Sequence, residues 1–511
     1  MTRIDANTSP EDRRRLVARL LRERRARTVQ ETRPVAAAAS DKPSPLSFAQ
    51  ERLWFLHQLD PESPAYNAKY SCRLRGPLQI NTLEAAINAI VDRHAVLRTI
   101  FPMVDGRAAA VAHARLAVPL DLVDLALVPP FRQAAERQAL AVRASRRPFE
   151  LSRGPLLRVL LLHLGRDDHQ LILVAHHIVA DGWALGLFLD ELSAAYRSLR
   201  AGGEPVLPAL PLQYADYAAW HREQVEHGAL ASQLAYWRRQ LDGDVRPLTL
   251  PADHARSAVG RDAGGVHRFE LGPEVSRQVH QLAAGAGLSV YMVLLAAYEI
   301  ALYWLSGQTD FAIACPIANR HRTETERLIG FFVNTLVMRA RVEREMTRGE
   351  LLCQVRDTAL GAYAHQDAPF EWVVRELRPE RSLDVNPLCR VLFVLQNVPD
   401  GSLCLDGVAV EPVALETQTT RFDVELIITI QAGVVSGRFV YSLALFTPST
   451  AERMLRTYVT AVTGLVEAST RTVSDIERAL SSERIASTQA GSDELQRVAM
   501  AMLASVLRAR S

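Results

Sequence analysis

A run of five apolar residues, 171–175, is followed at once by His176 and His177 and then, after three more residues, by Asp181 and Gly182. The run is rich in β-branched and aliphatic side chains, which predicts a buried strand. The residues after Gly182 have the spacing of an amphipathic helix. We therefore expect a sheet that carries a histidine pair at one strand end, followed by a helix.

The histidine pair predicts base chemistry. An imidazole has an unperturbed pKa of about 6.5, so at neutral pH it can take a proton from an attacking amine or hydroxyl. A histidine pair in a strand also serves packing, and the pattern alone leaves both interpretations open. Gly182 allows a tight turn. Asp181 is expected to hold a neighbouring cation or to cap the helix that begins near Trp183, which is a structural role in either case.

Length and composition restrict the class of protein. A chain of 511 residues with 48% hydrophobic residues is long enough for two or three globular units with their own cores. A net charge of +2 gives no reason to expect nucleic acid. The five cysteines are scattered without CxxC spacing, which indicates a reducing compartment and no zinc site. We find no secretory signal and no apolar run of about 18 residues, so we expect a cytoplasmic protein without a membrane span.

The first 43 residues differ from the rest. The segment Ser9-Pro10-Glu11-Asp12 has a helix start signal, and an apolar stripe among arginines follows it. This predicts a basic amphipathic helix and then a linker. The helix is expected either to pack loosely on the main body or to dock on an acidic partner protein.

Further segments combine aromatic, charged and amide residues in distinctive ways. In chain order they are 47–56 (SFAQERLWFL), 93–101 (RHAVLRTIF), 214–220 (YADYAAW), 329–337 (IGFFVNTLV), 365–371 (HQDAPFE), and 381–388 (RSLDVNPL) with 391–397 (VLFVLQN). Together with H-H-x-x-x-D-G, they resemble in order the seven motifs of the condensation domains of nonribosomal peptide synthetases. This superfamily is related in fold to chloramphenicol acetyltransferase.

The resemblance implies an α/β (α+β sandwich) fold with two chloramphenicol acetyltransferase-like lobes, a V-shaped pseudo-dimer with a tunnel between them. We expect an N-terminal lobe over residues 44–210 and a C-terminal lobe over residues 211–480, divided near the proline-punctuated segment 207–211. Residues 481–511 are expected to form a helical tail. The second lobe has no histidine motif of its own, so one site per chain is expected.

The resemblance also implies a reaction. A donor acyl thioester and an acceptor aminoacyl thioester would arrive on phosphopantetheine arms of two carrier proteins and be joined by an amide bond. His177 and His176 are the candidate catalytic pair. His177 would deprotonate or orient the amine, and His176 would be a packed, hydrogen-bonded neighbour. Arg98 or Arg93 is expected to form an ion pair with Asp181.

Trp183 is expected either to line the substrate channel or, as we favour, to cover the sheet. Asn334 is a candidate for lining the channel between the lobes, and no metal site is expected. The chain shows neither an adenylation signature nor a Leu-Gly-Gly-x-Ser attachment site for a phosphopantetheine arm. Substrates are therefore expected to arrive on partner carrier proteins, with no covalently bound cofactor, and the terminal segments are possible contacts to adjacent synthetase modules. Three alternatives remain open: a stand-alone acyltransferase that forms an ester or amide on a small acceptor, an epimerisation domain, and a non-catalytic recruitment module.

Overall fold

The computed structural model describes residues 43–243, 245–256, 262–377, 388–396, 401–415, 419–467 and 469–483. The helix and linker predicted for residues 1–43 lie outside these ranges except for residue 43. The tail from residue 484 onward and most of the segment 381–388 also lie outside them. The described residues form two sheets with helices packed against them.

Fifteen strands occur in the described residues. In chain order they are β1 Asn67–Arg75, β2 Thr99–Ile100, β3 Met103–Val104, β4 Arg107–Ala108, β5 Val111–Ala112, β6 Leu120–Asp124, β7 Leu157–Gly165, β8 Asp168–His176, β9 Gly264–Glu270, β10 Asp310–Ile317, β11 Asn334–Arg341, β12 Val391–Gln396, β13 Ala409–Pro412, β14 Val424–Gln431 and β15 Val434–Ser442. One large sheet has the order β13-β1-β8-β7-β6, and the other has the order β11-β10-β12-β14-β15-β9. We call the sheets, with the helices packed on them, the first and second lobes.

The described residues also form helices, which lie before, between and after the strands, singly or in groups of two or three. They are α1 Phe48–Leu59, α2 Ile80–Arg93, α3 Pro130–Arg146, α4 Gly182–Arg200, α5 Tyr214–Glu226, α6 Ala231–Gln240, α7 Pro273–Ala286, α8 Val290–Ser306, α9 Arg348–Ala364, α10 Phe370–Leu377, α11 Pro448–Val466 and a last helix over residues 473–483. Their apolar faces close the two cores.

Strand β8 is the centre of the first lobe. It pairs antiparallel with β1, from Asn67 opposite His176 to Arg75 opposite Asp168, and it pairs antiparallel with β7 on its other side. Eight of its nine residues are buried, which explains the continuous apolar run 171–175 within it. Strands β7 and β8 form a hairpin, with Asp167 at φ 56° in the turn.

The two cores do not follow a single boundary near residue 210. Tyr214 and Phe332 belong to the core of the first lobe, and so do Leu403 and Leu405. The chain then returns to the first sheet, where β13 pairs with β1. The predicted division into 44–210 and 211–480 is therefore wrong for these segments, because their apolar side chains fill the core of the first lobe.

The core of the second lobe is built around α8. The helix begins after Ser289, whose hydroxyl accepts a hydrogen bond from the N–H of Met292 at 3.3 Å, and it ends at Gly307 in the left-handed conformation. Serine at the N-cap and glycine at the C-cap are the residue types that these positions favour. All residues from 292 to 302 are buried, so the helix is enclosed on every side.

No single helix in the described ranges combines the length and apolarity needed to cross a membrane. The helices α7 and α8 meet that test only when taken together, as a pair bent by 108°.

Candidate active site

His177 lies directly after β8. Its backbone N–H donates to the carbonyl of Tyr66 at 2.8 Å, and its ring Nδ1 is 3.0 Å from the carbonyl oxygen of Ala180. A carbonyl oxygen only accepts, so this contact assigns the ring proton to Nδ1 and leaves Nε2 with its lone pair. Among the described residues no hydrogen bond to Nε2 is present, and the ring lines a large cavity.

The surroundings of His177 favour its neutral form. Burial is the main reason that the pKa of His177 falls to about 3, and the charges of Arg421 and Lys69 lower the pKa further. The hydrogen bond to Ala180 acts in the opposite direction. At neutral pH the ring is therefore an uncharged acceptor. A base so weak is better suited to orienting an amine N–H than to holding its proton.

The ring of His176 is held in the opposite tautomer to that of His177. It is buried, and its Nδ1 accepts a hydrogen bond from the N–H of Ile178 at 3.1 Å, which places the ring proton on Nε2. The rings of His57 and Phe149 pack edge-on against it, each with its centroid 6.1 Å away. Burial, followed by the charge of His177, lowers the pKa of His176 to about 3.

Asp181 is the N-cap of α4 and also one half of a buried ion pair. Its carboxylate accepts from the N–H of Ala184 at 2.8 Å and from the N–H of Phe332 at 2.9 Å. The guanidinium of Arg320 lies 3.2 Å from the same carboxylate, and both side chains are 1% exposed. Since Arg320 follows β10 and Phe332 precedes β11, Asp181 links the first lobe to the second.

The ion pair expected for Asp181 is therefore assigned to the wrong arginine. Arg98 donates to backbone carbonyls, including those of Val91 and His113. Arg93 forms an ion pair with Glu191 at 3.2 Å. Both arginines lie near α2 and satisfy local acceptors, whereas the turn after β10 meets the end of β8. Sequence spacing contains no signal for this contact, because the ion pair spans 139 positions.

Arg320 also organises the loop that leads to β11. It donates to the carbonyls of Thr325 and Leu328, at 2.7 Å each, and its guanidinium lies 4.0 Å from the centroid of the Phe332 ring. The loop residue Gly330 accepts a hydrogen bond from the backbone N–H of Asp181 at 3.2 Å. The ion pair therefore fixes the orientation of the loop that carries Phe331 into the cavity.

Trp183 and Asn334 do not lie where a channel function requires them. Trp183 donates from its indole N–H to the carbonyl of Glu326 at 3.0 Å. Asn334 is buried and donates to the carbonyls of Gln366 and Ala368, at 2.9 Å each. Neither residue is among those that line the cavity. The polar atoms of both side chains hold loops in place, which supports the covering role for Trp183 and gives no support to a channel role for Asn334.

Gly182 does reach the cavity. It is the first residue of α4, it is exposed, and a Cβ at this position would meet no atom within 4 Å. The backbone geometry therefore does not require glycine here. The missing side chain leaves room in the cavity beside His177.

The cavity has a volume of about 2430 Å³ and is lined by residues of both lobes. The first lobe contributes the two histidines together with Tyr66 and Lys69, and the second contributes Arg421 and other residues. Additional lining residues from the second lobe are Phe331, Val333, Thr335, Cys389, Leu392, Glu425, Ile427 and Arg438. Sequence reasoning missed Tyr66, Lys69 and Arg421, because nothing in their local pattern distinguishes a cavity wall from a solvated surface.

Comparisons with known proteins agree on one family. A family model described as "Condensation domain" matches residues 41–485. A polypeptide of the linear gramicidin synthase of Brevibacillus parabrevis is 42% identical over 434 residues, which is 84% of this chain and 6% of that protein. Phosphinothricin tripeptide synthetase PhsC of Streptomyces viridochromogenes is 42% identical over 417 residues, which is 81% of this chain and 38% of that protein. The chain thus spans a small part of these relatives.

Among solved structures, the X-domain from teicoplanin biosynthesis is similar, with a TM-score of 0.80 and 25% identity over 87% of this chain and 99% of that chain. The first condensation domain of the calcium-dependent antibiotic synthetase has a TM-score of 0.71 and 21% identity over 85% of this chain and 98% of that chain. Both share the arrangement of helices and sheets described above.

Proposed function

Because the chain belongs to the condensation-domain family, we propose that it joins a donor acyl thioester to an acceptor amine, each carried on the phosphopantetheine arm of a carrier protein. The family and the α+β fold of chloramphenicol acetyltransferase type, which the motifs implied, are confirmed. The proposal rests on one observation. The ring of His177 lines a cavity to which both lobes contribute residues, and its unprotonated Nε2 has no hydrogen-bond partner among the described residues.

The chemistry follows from this placement. The acceptor amine attacks the donor carbonyl, a C–N bond forms, and the C–S bond breaks with loss of the donor thiolate. Nε2 of His177 accepts a hydrogen bond from the amine and orients it, and the proton that the amine loses on C–N bond formation goes to the departing thiolate. With a pKa of about 3, the ring contributes mainly by orientation. Alignment of two tethered reactants in one cavity supplies much of the remaining rate enhancement.

The test is amide formation with two loaded carrier proteins, measured by mass spectrometry of the product on the acceptor carrier. His177→Ala is expected to lower the rate by about 10²- to 10⁴-fold, the usual contribution of a positioned proton acceptor. His280→Ala is the matched control, because His280 is a half-buried histidine on α7 that contacts the carbonyl of Gly433 and does not line the cavity. Near wild-type rates for His177→Ala would reject the role of the ring.

A non-catalytic recruitment module is the second candidate. The likeness to the X-domain from teicoplanin biosynthesis favours it, since one solved structure of that domain is a complex with OxyB. The same assay separates the two candidates, because a recruitment module forms no product with any pair of loaded carriers. A free alcohol or amine as acceptor tests the third possibility, an acyltransferase that acts on a small molecule.

The proposal includes the setting of the reaction. The partners are donor and acceptor carrier proteins and, through the chain's terminal segments, adjacent synthetase modules, and the compartment is the cytoplasm. The phosphopantetheine arms belong to the carriers, so the domain itself holds no covalent cofactor. Pull-down of this chain with apo and phosphopantetheinylated carrier proteins tests these partners directly.

A further inference from the structure

Two cations line the cavity from opposite lobes. Lys69 lies on β1, and Arg421 lies three residues before β14. Both are close enough to His177 for their charges to lower its pKa. The guanidinium of Arg421 is 5.8 Å from the centroid of the Tyr66 ring, which also lines the cavity. The two charges therefore lie around the same space that the His177 ring faces.

The charge of Lys69 has no counter-charge nearby among the described residues. Burial lowers the pKa of Lys69 to about 8, and the neighbouring charges that contribute, Arg146 and Arg421, are both positive. No described residue forms an ion pair or hydrogen bond with the Lys69 ammonium. A half-buried ammonium without a counter-charge is unfavourable, so a ligand that supplies one gains binding energy there.

Arg421 is also largely available for a ligand. It forms a long ion pair with the carboxylate of Glu425, at 4.0 Å. One oxygen of that carboxylate already accepts from the hydroxyl of Thr420 at 2.9 Å and from the backbone N–H of Arg421 at 2.7 Å. The guanidinium side chain is 36% exposed. Its planar fork remains able to bind a carboxylate in a bidentate manner.

We propose that Lys69 and Arg421 form an anion subsite, which selects a carrier-bound substrate residue with a carboxylate side chain. The inference rests on the proposed condensation function and adds a substrate class to it. A carboxylate between the two cations would contact the compact ammonium of Lys69 from the first lobe and accept two hydrogen bonds from the planar guanidinium of Arg421 from the second.

The phosphate of the phosphopantetheine arm is the other anion available. It lies at the end of the arm remote from the thioester sulfur, whereas these cations lie near His177, where the acyl groups react. A bound carboxylate would also offset the two positive charges that lower the pKa of His177. The selected substrate would thereby make the ring a better acceptor for the amine proton.

The experiment compares kcat/KM for matched substrates that differ only in charge: aspartyl against asparaginyl and glutamyl against glutaminyl, placed in turn on the donor and acceptor carriers. In the wild type the acidic member is expected to be favoured about 10- to 100-fold in one of the two positions, as hydrogen bonds to charged groups allow. Lys69→Met and Arg421→Gln should each bring that ratio toward one. Lys69→Glu should reverse it in favour of a lysyl substrate.

Arg438→Gln is the matched control. Arg438 lies on β15, lines the same cavity and has its pKa lowered by burial, but it is not among the charges that act on His177. Its removal should leave the ratio unchanged. An equal loss with Arg438→Gln would show a diffuse charge effect of the cavity and overturn the subsite.

A second measurement separates the two proposals. Binding of non-reactive acidic and amide pantetheine thioesters, with and without the terminal phosphate, is measured by calorimetry on the wild type and Lys69→Met. Amide formation without an acidic preference rejects the subsite and leaves the condensation function standing. If the acidic thioesters bind in a way that depends on Lys69 but no amide forms, the condensation function is rejected and the subsite is retained. A Lys69 effect that follows the phosphate instead of the carboxylate overturns the subsite.

Discussion

Removal of Arg320 is the perturbation for which the structure gives the clearest magnitude. In Arg320→Met the carboxylate of Asp181 keeps its two backbone donors but loses its counter-charge, at 1% exposure. Breaking a buried ion pair in this way costs about 3–5 kcal/mol. The carbonyls of Thr325 and Leu328 also lose their donor. We therefore expect the free energy of unfolding to fall by about 4 kcal/mol, a large part of a typical total of about 5–15 kcal/mol.

The assay is urea unfolding followed by circular dichroism and tryptophan fluorescence, with coincident curves as the condition for a two-state treatment. Arg98→Met is the matched control. It removes an arginine whose bonds go to more exposed carbonyls, for which about 1 kcal/mol is expected.

A double-mutant cycle supplies the stricter test. Asp181→Asn retains the helix cap but removes the charge. The double variant Asp181→Asn with Arg320→Met should therefore be less destabilised than the sum of the single changes, by up to about 3 kcal/mol. Strict additivity, or equal losses for Arg320→Met and Arg98→Met, would refute the argument.

Three further predictions concern the site and the core. The pKa values of His176 and His177 are lowered from 6.5 to about 3, so the unfolded state binds more protons than the folded state as pH falls. The free energy of unfolding is at its full value above pH 6.5 and should fall by about 2 kcal/mol per histidine between pH 7 and pH 5. Denaturation of the double variant His176→Gln with His177→Gln should not show this loss. Gly182→Leu should leave the melting temperature within a few degrees of wild type but abolish amide formation, since its side chain would fill cavity space; normal turnover would contradict this. Burial raises the pKa of Glu299 well above 4.5, so the folded state holds an extra proton and loses stability as pH rises. Glu299→Gln should therefore be more stable than the wild type at pH 8, and equal denaturation midpoints would contradict this.

Much of the site was predictable because its signals are local. The strand that ends in His176 is marked by a continuous apolar run, and Asp181 caps the next helix with the residue type and spacing that caps require. The same holds for Ser289 and Gly307 at the two ends of α8. Hydrophobic periodicity, helix caps and turns each depend on residues only a few positions apart, so these elements follow from the local sequence.

The tertiary structure alone decided which distant groups meet. Arg320 rather than Arg98 pairs with Asp181, because the turn after β10 packs against the end of β8. Lys69 and Arg421 face one cavity although 352 positions separate them (421 − 69). Side-chain partners depend on which strand ends and loops converge, and that follows from the packing of two lobes. No pattern within a short segment contains this information.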